Sequence, residues 1–283
     1  MLFIRDYKML LNDKKVDAFD VCVPTKLHHK IILEALKHDK HVFCEKPLTT
    51  RLDYALMIKH ASQQTEKKIM VGYLYRFHPT FQMLKQILEK KVLGQIHYAF
   101  FRVGGRGNHR PWLRKKSLGG GATLDMLVHM LDLVDWYFGE PKTVKPLVAD
   151  LVLPERTFDG IKYQGDAEDL VLVKLVCNDV TVICEANLIT PSYMNSVEVH
   201  GSNGSYFGSI LKYLPTIVYC KQGCFGFENG FNFYKYSYVN LFEKELQYFV
   251  NMLNGEAPEI DSVESAIRMF KVTKKMKQNA SGE

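Results

Sequence analysis

The first seventy or so residues alternate short apolar runs with amphipathic stretches, and this alternation constrains the fold more than any other feature of the sequence. The apolar runs at 18–23, 41–44 and 68–73 have the length and composition of buried strands. Between them, apolar residues recur at helical spacing. Strands that alternate with helices pair in parallel, so this segment is predicted to be a β-α-β-α-β unit.

After residue 74 the pattern changes to a strand-rich sequence. Further strands are predicted at 96–103, 169–177, 180–188 and 196–200, and Asn178-Asp179 is predicted to be the tight turn of a hairpin. Amphipathic helices are predicted at 79–90, 241–253 and 262–277. We therefore expect a first domain over residues 1–75 and a second over 76–283, with the last helix packing on the first domain.

Composition excludes several classes of protein. Apolar residues make up 47% and charged residues 24% of the 283-residue chain, as in ordinary globular proteins. The net charge of +6 comes from Lys and Arg interspersed with Asp and Glu, which gives no support for nucleic-acid binding. Eighteen consecutive apolar residues occur nowhere, and the six cysteines form no C-x-x-C pair. We therefore expect a cytoplasmic protein with reduced thiols, no signal peptide and no membrane span.

A helix predicted after the triple glycine 119–121 carries a stripe of chemically versatile residues. Asp125, His129, Asp132 and Trp136 follow the spacing i, i+4, i+7, i+11 of one side of an ideal helix. Apolar residues occupy almost every other direction, so the helix is expected to be buried. A polar stripe on a buried helix must line a cavity or find internal partners, because burying an unpaired carboxylate or imidazole costs several kcal/mol.

The pair Asp125 and His129 has more than one interpretation. An Asp one turn before a His can accept a ring N–H and leave the other ring nitrogen to act on a substrate as a general base. A buried structural hydrogen bond is the commoner role of an arbitrary Asp-x-x-x-His pair. A metal site is the least favoured interpretation, because no further His or Cys residues cluster at ligand spacing.

Two more segments follow predicted strands of the first domain, where ligands gather in open α/β sheets. Glu45-Lys46-Pro47 follows the second strand and would fix a cation near the expected crevice, although a surface turn is the default interpretation. Val23-Pro24-Thr25, with His28 beyond it, leads from the first strand into a helix whose backbone N–H groups could meet a phosphate or ribose. Alone, each segment is an ordinary connection between a strand and the element that follows it.

Four stretches in this order carry a resemblance along nearly the whole chain. They are FDVCVPTKLHHKIILEALKHDKHVFCEKPLT, then VGYLYRFHPTFQMLKQILEKKVLGQI, then PWLRKKSLGGGATLDMLVHMLDLVDWYFGEP, and finally VEVHGSNGSYFGSI with FEKELQYFVNML. Glu-Lys-Pro followed some eighty residues later by Gly-Gly-Gly and Asp-x-x-x-His is highly specific as a set. The chain resembles the glucose-fructose oxidoreductase and inositol dehydrogenase family (Gfo/Idh/MocA).

The resemblance implies a Rossmann domain that binds NAD or NADP, followed by an α+β domain with an open, mostly antiparallel sheet through which subunits often associate. It assigns catalysis to Lys46, Asp125 and His129. It assigns cofactor contacts to Pro24, Thr25, His28, Glu45, Lys46 and Arg76, and it places Trp112 and Arg114 at the border of the substrate pocket. It also makes the Lys46-Pro47 bond a candidate for the cis form.

The resemblance departs at the front of the chain. A family member begins with a strand, a G-x-G-x-x-G turn, a helix and a second strand, and no G-x-G-x-x-G stands anywhere in this sequence. We therefore expect an N-terminally truncated Rossmann sheet with a weakened hold on the cofactor pyrophosphate.

Two functions follow from the resemblance and its departure. The first is an oxidoreductase in which His129, oriented by Asp125, takes a proton from a secondary hydroxyl of a sugar, polyol or nucleotide sugar while Lys46 positions the oxygen. Hydride passes from the same carbon to the nicotinamide. The second is a non-catalytic, dimeric sugar-binding protein or pseudoenzyme that has lost cofactor binding. Both readings predict a homo-oligomer formed through the C-terminal sheet.

Overall fold

The computed structural model describes residues 3–105 and 111–280 of the chain. These residues form two compact units. The first consists of the described parts of residues 1–73 and 242–270, and the second of those of residues 74–241 and 271–283. Two segments that are distant in the sequence therefore build the first unit.

The first unit contains a three-stranded parallel sheet in the order β1, β2, β3. Its strands are β1 (Ala18–Val21), β2 (His41–Glu45) and β3 (Ile69–Gly72), and its first helices are α1 (Lys8–Leu11), α2 (His28–Lys37) and α3 (Leu52–Ser62). The register pairs Val21 with Cys44 and Glu45 with Gly72. The predicted β-α-β-α-β order is confirmed, although β1 ends at Val21 instead of residue 23.

Strand β2 is buried on both faces, which explains why its sequence is a continuous apolar run. Val42 and Cys44 are 0% exposed and Phe43 is 2% exposed. The helices contribute equally buried side chains, among them Ile32 of α2 and Ile58 of α3. Each aliphatic or aromatic side chain buried in this way stabilises the unit by about 1.5–3 kcal/mol.

The second unit is built on an eight-stranded sheet in the order β13, β12, β11, β10, β4, β9, β8, β5. Its strands are β4 (Ile96–Gly104), β5 (Thr143–Asp150), β8 (Leu170–Cys177), β9 (Val180–Asn187), β10 (Met194–Gly201), β11 (Gly204–Gly208), β12 (Thr216–Cys220) and β13 (Gly230–Tyr234), while β6 (Glu155–Phe158) and β7 (Ile161–Gln164) form a separate hairpin. Only β4 and β9 pair in parallel in the eight-stranded sheet, and its other neighbours are antiparallel. The predicted open, mostly antiparallel sheet is confirmed.

The tight hairpin predicted at Asn178-Asp179 joins β8 and β9. The two residues have φ values of +44° and +70°, as a two-residue turn of the type I′ class requires. Asn and Asp tolerate this left-handed region better than most residues, because their short side chains hydrogen-bond locally. The Asn178 side chain donates to the Phe138 carbonyl at 3.0 Å, which ties the turn to the end of the preceding helix.

Helices cover one face of the large sheet. Helices α4 (Pro79–Glu89) and α5 (Val128–Phe138) belong to this unit, and α5 packs on β4 and β9. Along β8 the residues facing the helices, such as Val171 and Val173, are fully buried, whereas Leu172 and Lys174 on the other face are partly exposed. The alternation is the period-2 pattern of a sheet with one covered face.

Two helices close the chain, α6 (Leu241–Leu253) and α7 (Ser262–Ala280). Within the first unit, Phe249 of α6 packs its ring 5.7 Å from that of Phe43, and the Ser262 hydroxyl accepts a hydrogen bond from the Val71 amide at 2.9 Å. The later part of α7 belongs to the second unit, where the Asn279 side chain donates to the Val144 carbonyl. None of the helices in the described ranges is long and apolar enough to cross a membrane.

Candidate active site

The carboxyl ends of β1 and β2 lie side by side, because these strands pair in parallel. Val23-Pro24-Thr25 leads from β1 into a 3₁₀ turn and then α2, and Glu45-Lys46-Pro47 leads out of β2. Pro24 is exposed, Glu45 and Lys46 are half-buried, and Thr25 is buried. The first unit thus brings Pro24, Thr25, Glu45 and Lys46 to the sheet edge where α/β proteins bind ligands.

His28 lies between the two segments. Its imidazole is 1% exposed, with Nε2 2.7 Å from the Val23 carbonyl oxygen and Nδ1 3.0 Å from that of Pro47. The Lys46-Pro47 peptide bond is cis, as predicted. His28 therefore contacts the backbone of both segments.

Glu45 folds back on the segment that follows it. Its carboxylate accepts a hydrogen bond from the Lys46 backbone amide at 3.2 Å. Burial raises the pKa of Glu45, and the adjacent Lys46 charge opposes that rise. The backbone of Lys46 is consequently held by a neighbouring side chain.

In the second unit, the triple glycine allows a helix start to approach two other segments. A Cβ atom at Gly120 would lie 2.2 Å from the Leu113 carbonyl oxygen, and one at Gly121, which has φ +108°, would lie 2.6 Å from a Glu168 carboxylate oxygen. The Gly121 amide donates to the Leu113 carbonyl and the Ala122 amide to the Glu168 carbonyl, both at 2.8 Å. These bonds place the following turn, which carries Asp125.

That turn is not the regular α-helix predicted from the sequence. Thr123–Leu127 form a π-helical turn, and α5 begins only at Val128. Hydrogen bonds in a π turn run from i to i+5, so the turn that carries Asp125 is wider than a turn of α-helix. The prediction of a regular α-helix is therefore wrong for residues 123–127, whereas the predicted burial of the helix is confirmed for residues 128–135.

Two tyrosines stand beside the predicted acid/base pair. His129 is 6% exposed, and its ring packs against that of Tyr75 with centroids 4.6 Å apart. The hydroxyls of Tyr75 and Tyr193 share a hydrogen bond. Burial raises the pKa of both tyrosines, and the nearby Asp125 carboxylate raises each further. Both phenols therefore stay protonated at neutral pH in a cluster with Asp125 and His129.

Tyr75 and Tyr193 were not among the site residues predicted from the sequence. Tyr75 stands next to Arg76 in a stretch that was already singled out, so its position offered a weak signal. Tyr193 lies 118 residues further along the chain, after β9, and no periodicity or motif links it to the helix that carries His129. Only the packing of the second unit brings the two hydroxyls together.

Arg76 and Asp132, both singled out in the sequence, pair with each other. Two guanidinium nitrogens of Arg76 lie 2.8 and 2.6 Å from the two carboxylate oxygens of Asp132, and the guanidinium carbon lies 5.7 Å from the centre of the Trp136 ring. A bidentate arginine–carboxylate pair is strong and directional.

Throughout residues 3–105 and 111–280, no cluster of three or more His, Cys, Asp or Glu residues is arranged to hold a metal ion.

Arg114 and Trp112 lie on a 3₁₀ turn at Pro111–Arg114. The Arg114 guanidinium donates to the carbonyls of Leu153 and Tyr163, and it is 6% exposed. Leu153 comes just before β6 and Tyr163 lies on β7. Arg114 therefore connects the β6–β7 hairpin to the 3₁₀ turn at Pro111–Arg114. Trp112 is half-buried. Their assignment to a substrate border stays a prediction.

Two family models match the chain and together cover most of it. The model described as the oxidoreductase family, NAD-binding Rossmann fold, matches residues 2–73, and the GFO/IDH/MocA C-terminal domain matches residues 81–207. The chain belongs to the Gfo/Idh/MocA family of oxidoreductases. The resemblance inferred from the four sequence stretches is thereby confirmed, as is the fold class of a parallel Rossmann-type sheet followed by a mostly antiparallel one.

Members of the family with curated names align along much of the chain. The chain is 29% identical over 270 residues to the myo-inositol 2-dehydrogenase of Thermotoga maritima. This alignment covers 94% of this chain and 78% of that protein. It is 25% identical over 223 residues to the levoglucosan dehydrogenase of Pseudarthrobacter phenanthrenivorans, covering 71% of this chain and 57% of that one. A solved levoglucosan dehydrogenase in complex with NADH and levoglucosan superposes with a TM-score of 0.88 over 99% of this chain and 82% of its own, at 20% identity. That superposition confirms the fold.

Proposed function

We propose that this member of the Gfo/Idh/MocA family transfers a hydride between NAD or NADP and a secondary hydroxyl or carbonyl of a sugar, polyol or nucleotide sugar. The observation that carries the proposal is the cluster of Asp125, His129, Tyr75 and Tyr193 in a chain of this family. The names of its relatives, an inositol and a levoglucosan dehydrogenase, support a polyhydroxylated substrate.

In this proposal His129 is the general base. The buried His129 ring is held in place by its contact with the Tyr75 ring, which positions it to accept the hydroxyl proton. The Asp125 carboxylate favours the imidazolium that forms. The paired phenols of Tyr75 and Tyr193 are donors at neutral pH, so Tyr193 is suited to bind a substrate oxygen.

Lys46 is assigned to the same hydroxyl by the family resemblance. An ammonium group stabilises the negative charge that develops on the oxygen as its proton leaves. The Glu45 carboxylate bonded to the Lys46 amide, and the buried Pro47 after it, keep the Lys46 backbone in one position. This reduces the entropy that Lys46 would otherwise lose on binding substrate.

The residues at the ends of β1 and β2 fit the nicotinamide riboside half of the cofactor. Pro24 presents an exposed apolar surface, while Glu45 and Lys46 present polar groups at the adjacent strand end. Thr25 begins the turn into α2. When bound, the nicotinamide supplies the hydride acceptor, and the role of these residues is to orient it.

A non-catalytic sugar-binding protein is the second candidate, and the observation that favours it is the lack of a G-x-G-x-x-G in this sequence. Where that loop is present, its backbone N–H groups bind the pyrophosphate. A titration separates the candidates: NADH and NADPH fluorescence is followed as protein is added, with the exposed-lysine variant Lys37→Ala as the matched control for Lys46→Ala. Saturable binding at micromolar levels that Lys46→Ala weakens supports the dehydrogenase. No binding at millimolar levels supports the sugar-binding protein.

We also propose that the protein assembles as a homo-oligomer through the open sheet and works in the cytoplasm. The outer face of β12 and β13 carries the exposed rings of Tyr219, Phe231 and Phe233, which are 36%, 68% and 64% exposed. Neighbouring rings among them lie 5.0 and 6.2 Å apart, forming a continuous aromatic surface of the kind that interfaces bury. All six cysteines are free thiols, which suits a reducing compartment.

A further inference from the structure

The imidazole of His28 contacts the two segments that leave β1 and β2. Its Nε2 atom lies 2.7 Å from the Val23 carbonyl oxygen and its Nδ1 atom 3.0 Å from the Pro47 carbonyl oxygen. The Cys44 sulfur lies 3.3 Å from Nδ1. Because the ring is 1% exposed, no water competes freely for either nitrogen. A single buried ring therefore links the backbone on both sides of the predicted cofactor site.

The protonation state of the ring decides how many of these contacts are hydrogen bonds. A neutral imidazole has one N–H, so it can donate to only one of the two carbonyls. Burial lowers the pKa of His28, which makes the ring neutral at neutral pH. The proton then belongs on Nε2, because the Nε2–Val23 contact of 2.7 Å is shorter than the Nδ1–Pro47 contact of 3.0 Å, and a nitrogen lone pair facing a carbonyl oxygen is repelled more strongly at the shorter distance. Nδ1 is left as an acceptor, and the Cys44 thiol is the donor beside it.

A second proton changes this arrangement. The imidazolium donates to the Val23 and Pro47 carbonyls at once, and the Cys44 thiol turns to the Glu45 carbonyl, which lies 3.3 Å from its sulfur. Burial raises the pKa of the Cys44 thiol well above its usual value, so the thiol stays neutral in both states. The titratable neighbour His29 opposes the second proton, and the carbonyls of Val23, Pro47 and Leu48 favour it.

We propose that His28 is a positioning residue whose protonation ties the Lys46-Pro47 segment to the Val23 turn. The proposal rests on the proposed function in one respect, since cofactor binding and Lys46 are what the tie controls. In the imidazolium state the Pro47 carbonyl is held by a charge-assisted hydrogen bond, and in the neutral state it is not. His28, which the family resemblance assigns to cofactor binding, thus acts through the backbone of its neighbours.

The first test reads the ring directly and needs no activity. Nitrogen NMR of the full chain with ¹⁵N-labelled histidine distinguishes the two tautomers and the imidazolium. We expect His28 to carry its proton on Nε2 near neutral pH and to gain a second proton below the ordinary histidine value of 6.5. The Cys44→Ala variant is expected to keep this tautomer and to shift the Nδ1 signal. A proton on Nδ1 at neutral pH overturns the proposal.

The second test uses two amide variants that imitate the two ring nitrogens. His28→Gln places its amide nitrogen near the Nε2 position, keeping the Val23 bond without a titratable group, and His28→Asn places its nitrogen near Nδ1, keeping the Pro47 bond. We expect NADH affinity of the wild-type protein to change about three- to ten-fold between neutral pH and the lower pH at which the NMR spectrum shows the doubly protonated ring, the effect of one hydrogen bond. In His28→Gln this dependence is expected to vanish, whereas the exposed control His97→Gln keeps it.

The two readouts separate this proposal from the proposed function. An unchanged pH dependence in His28→Gln, with NADH still bound, overturns the positioning role and leaves the dehydrogenase intact. If NADH binds to no variant, the proposed function fails, and the NMR spectrum alone decides whether His28 forms the tie.

Discussion

The guanidinium of Arg76 and the carboxylate of Asp132 form a bidentate ion pair, with nitrogen–oxygen distances of 2.8 and 2.6 Å. The Asp132 side chain is 1% exposed and that of Arg76 is 11% exposed. Asp132 lies about one helical turn after His129 on α5. The pair therefore anchors the segment before α4, which also carries Tyr75, to the helix of the candidate base.

Breaking this pair from one side is expected to destabilise the second unit. Arg76→Ala leaves the Asp132 carboxylate buried without its guanidinium, and the free energy of unfolding is expected to fall by about 3–5 kcal/mol. Chemical denaturation measures the change. The exposed pair Arg51–Asp53 is the control, and Arg51→Ala is expected to leave the free energy of unfolding almost unchanged, because solvent screens an exposed ion pair. Equal losses in the two variants would show that the buried pair is not an anchor.

His129→Ala is expected to lower turnover by about 10²–10⁴-fold, the contribution of a general base. Lys46→Ala is expected to lower turnover as well, because the developing charge on the oxygen loses its stabilising ammonium. Neither variant is expected to change the melting temperature much, and the exposed control His97→Ala should leave turnover intact. Retained turnover together with a large loss of stability would assign His129 a structural role.

Tyr193→Phe removes one hydroxyl of the tyrosine pair and keeps the ring. If Tyr193 binds a substrate oxygen, its loss is expected to raise KM or lower kcat/KM about ten-fold, the value of a buried hydrogen bond to a substrate. Steady-state kinetics with a polyol series measures this effect. Tyr213→Phe, at a position that is 66% exposed, serves as control. Identical kinetics in both variants would remove Tyr193 from the site.

The buried Glu245 of α6 is expected to make stability depend on pH. The carboxyl group is 0% exposed, neither oxygen has a hydrogen-bond partner in the described residues, and burial, with Glu45 and Asp20 nearby, raises its pKa from 4.5 to about 8. Between pH 4.5 and about 8 the folded state holds a proton that the unfolded state releases, so stability falls as pH rises.

Glu245→Gln removes this titration. The free energy of unfolding of the variant minus that of the wild type is expected to rise steadily from pH 4.5 to about 8 and to level off above that range. Urea denaturation at a series of pH values measures the difference, with the exposed Glu256→Gln as control. A difference that does not vary with pH would mean that Glu245 is ionised in the folded protein.

The exposed rings of Phe231 and Phe233 offer a test of assembly. Replacing both with Ser is expected to shift the protein toward monomer in sedimentation experiments, because the aromatic surface loses its apolar area. Phe225→Ser, at a loop position that is 65% exposed, should leave the oligomeric state unchanged. Wild-type protein that sediments as a monomer would contradict the proposed oligomer.

Local sequence patterns were enough to predict many of the strands and turns. The apolar runs around β1, β2 and β3 and the Asn178-Asp179 turn were predicted correctly, because period, strand length and turn chemistry are properties of neighbouring residues. The regular helix predicted through Asp125 was wrong, because the bonds from Gly121 and Ala122 to distant carbonyls set the backbone there. Nothing within the helix sequence reports those contacts.

Family membership, the order of the elements and the burial of α5 could all be predicted before any coordinates, because each depends on local spacing or on the order of motifs along the chain. Three contacts became known only from the folded chain: Arg76 faces Asp132, His28 turns both ring nitrogens to backbone carbonyls, and Tyr193 meets Tyr75 from 118 residues away. A buried polar group needs a partner that is close in space, and many different residues could satisfy a side chain that has several donors. Packing selects one of them.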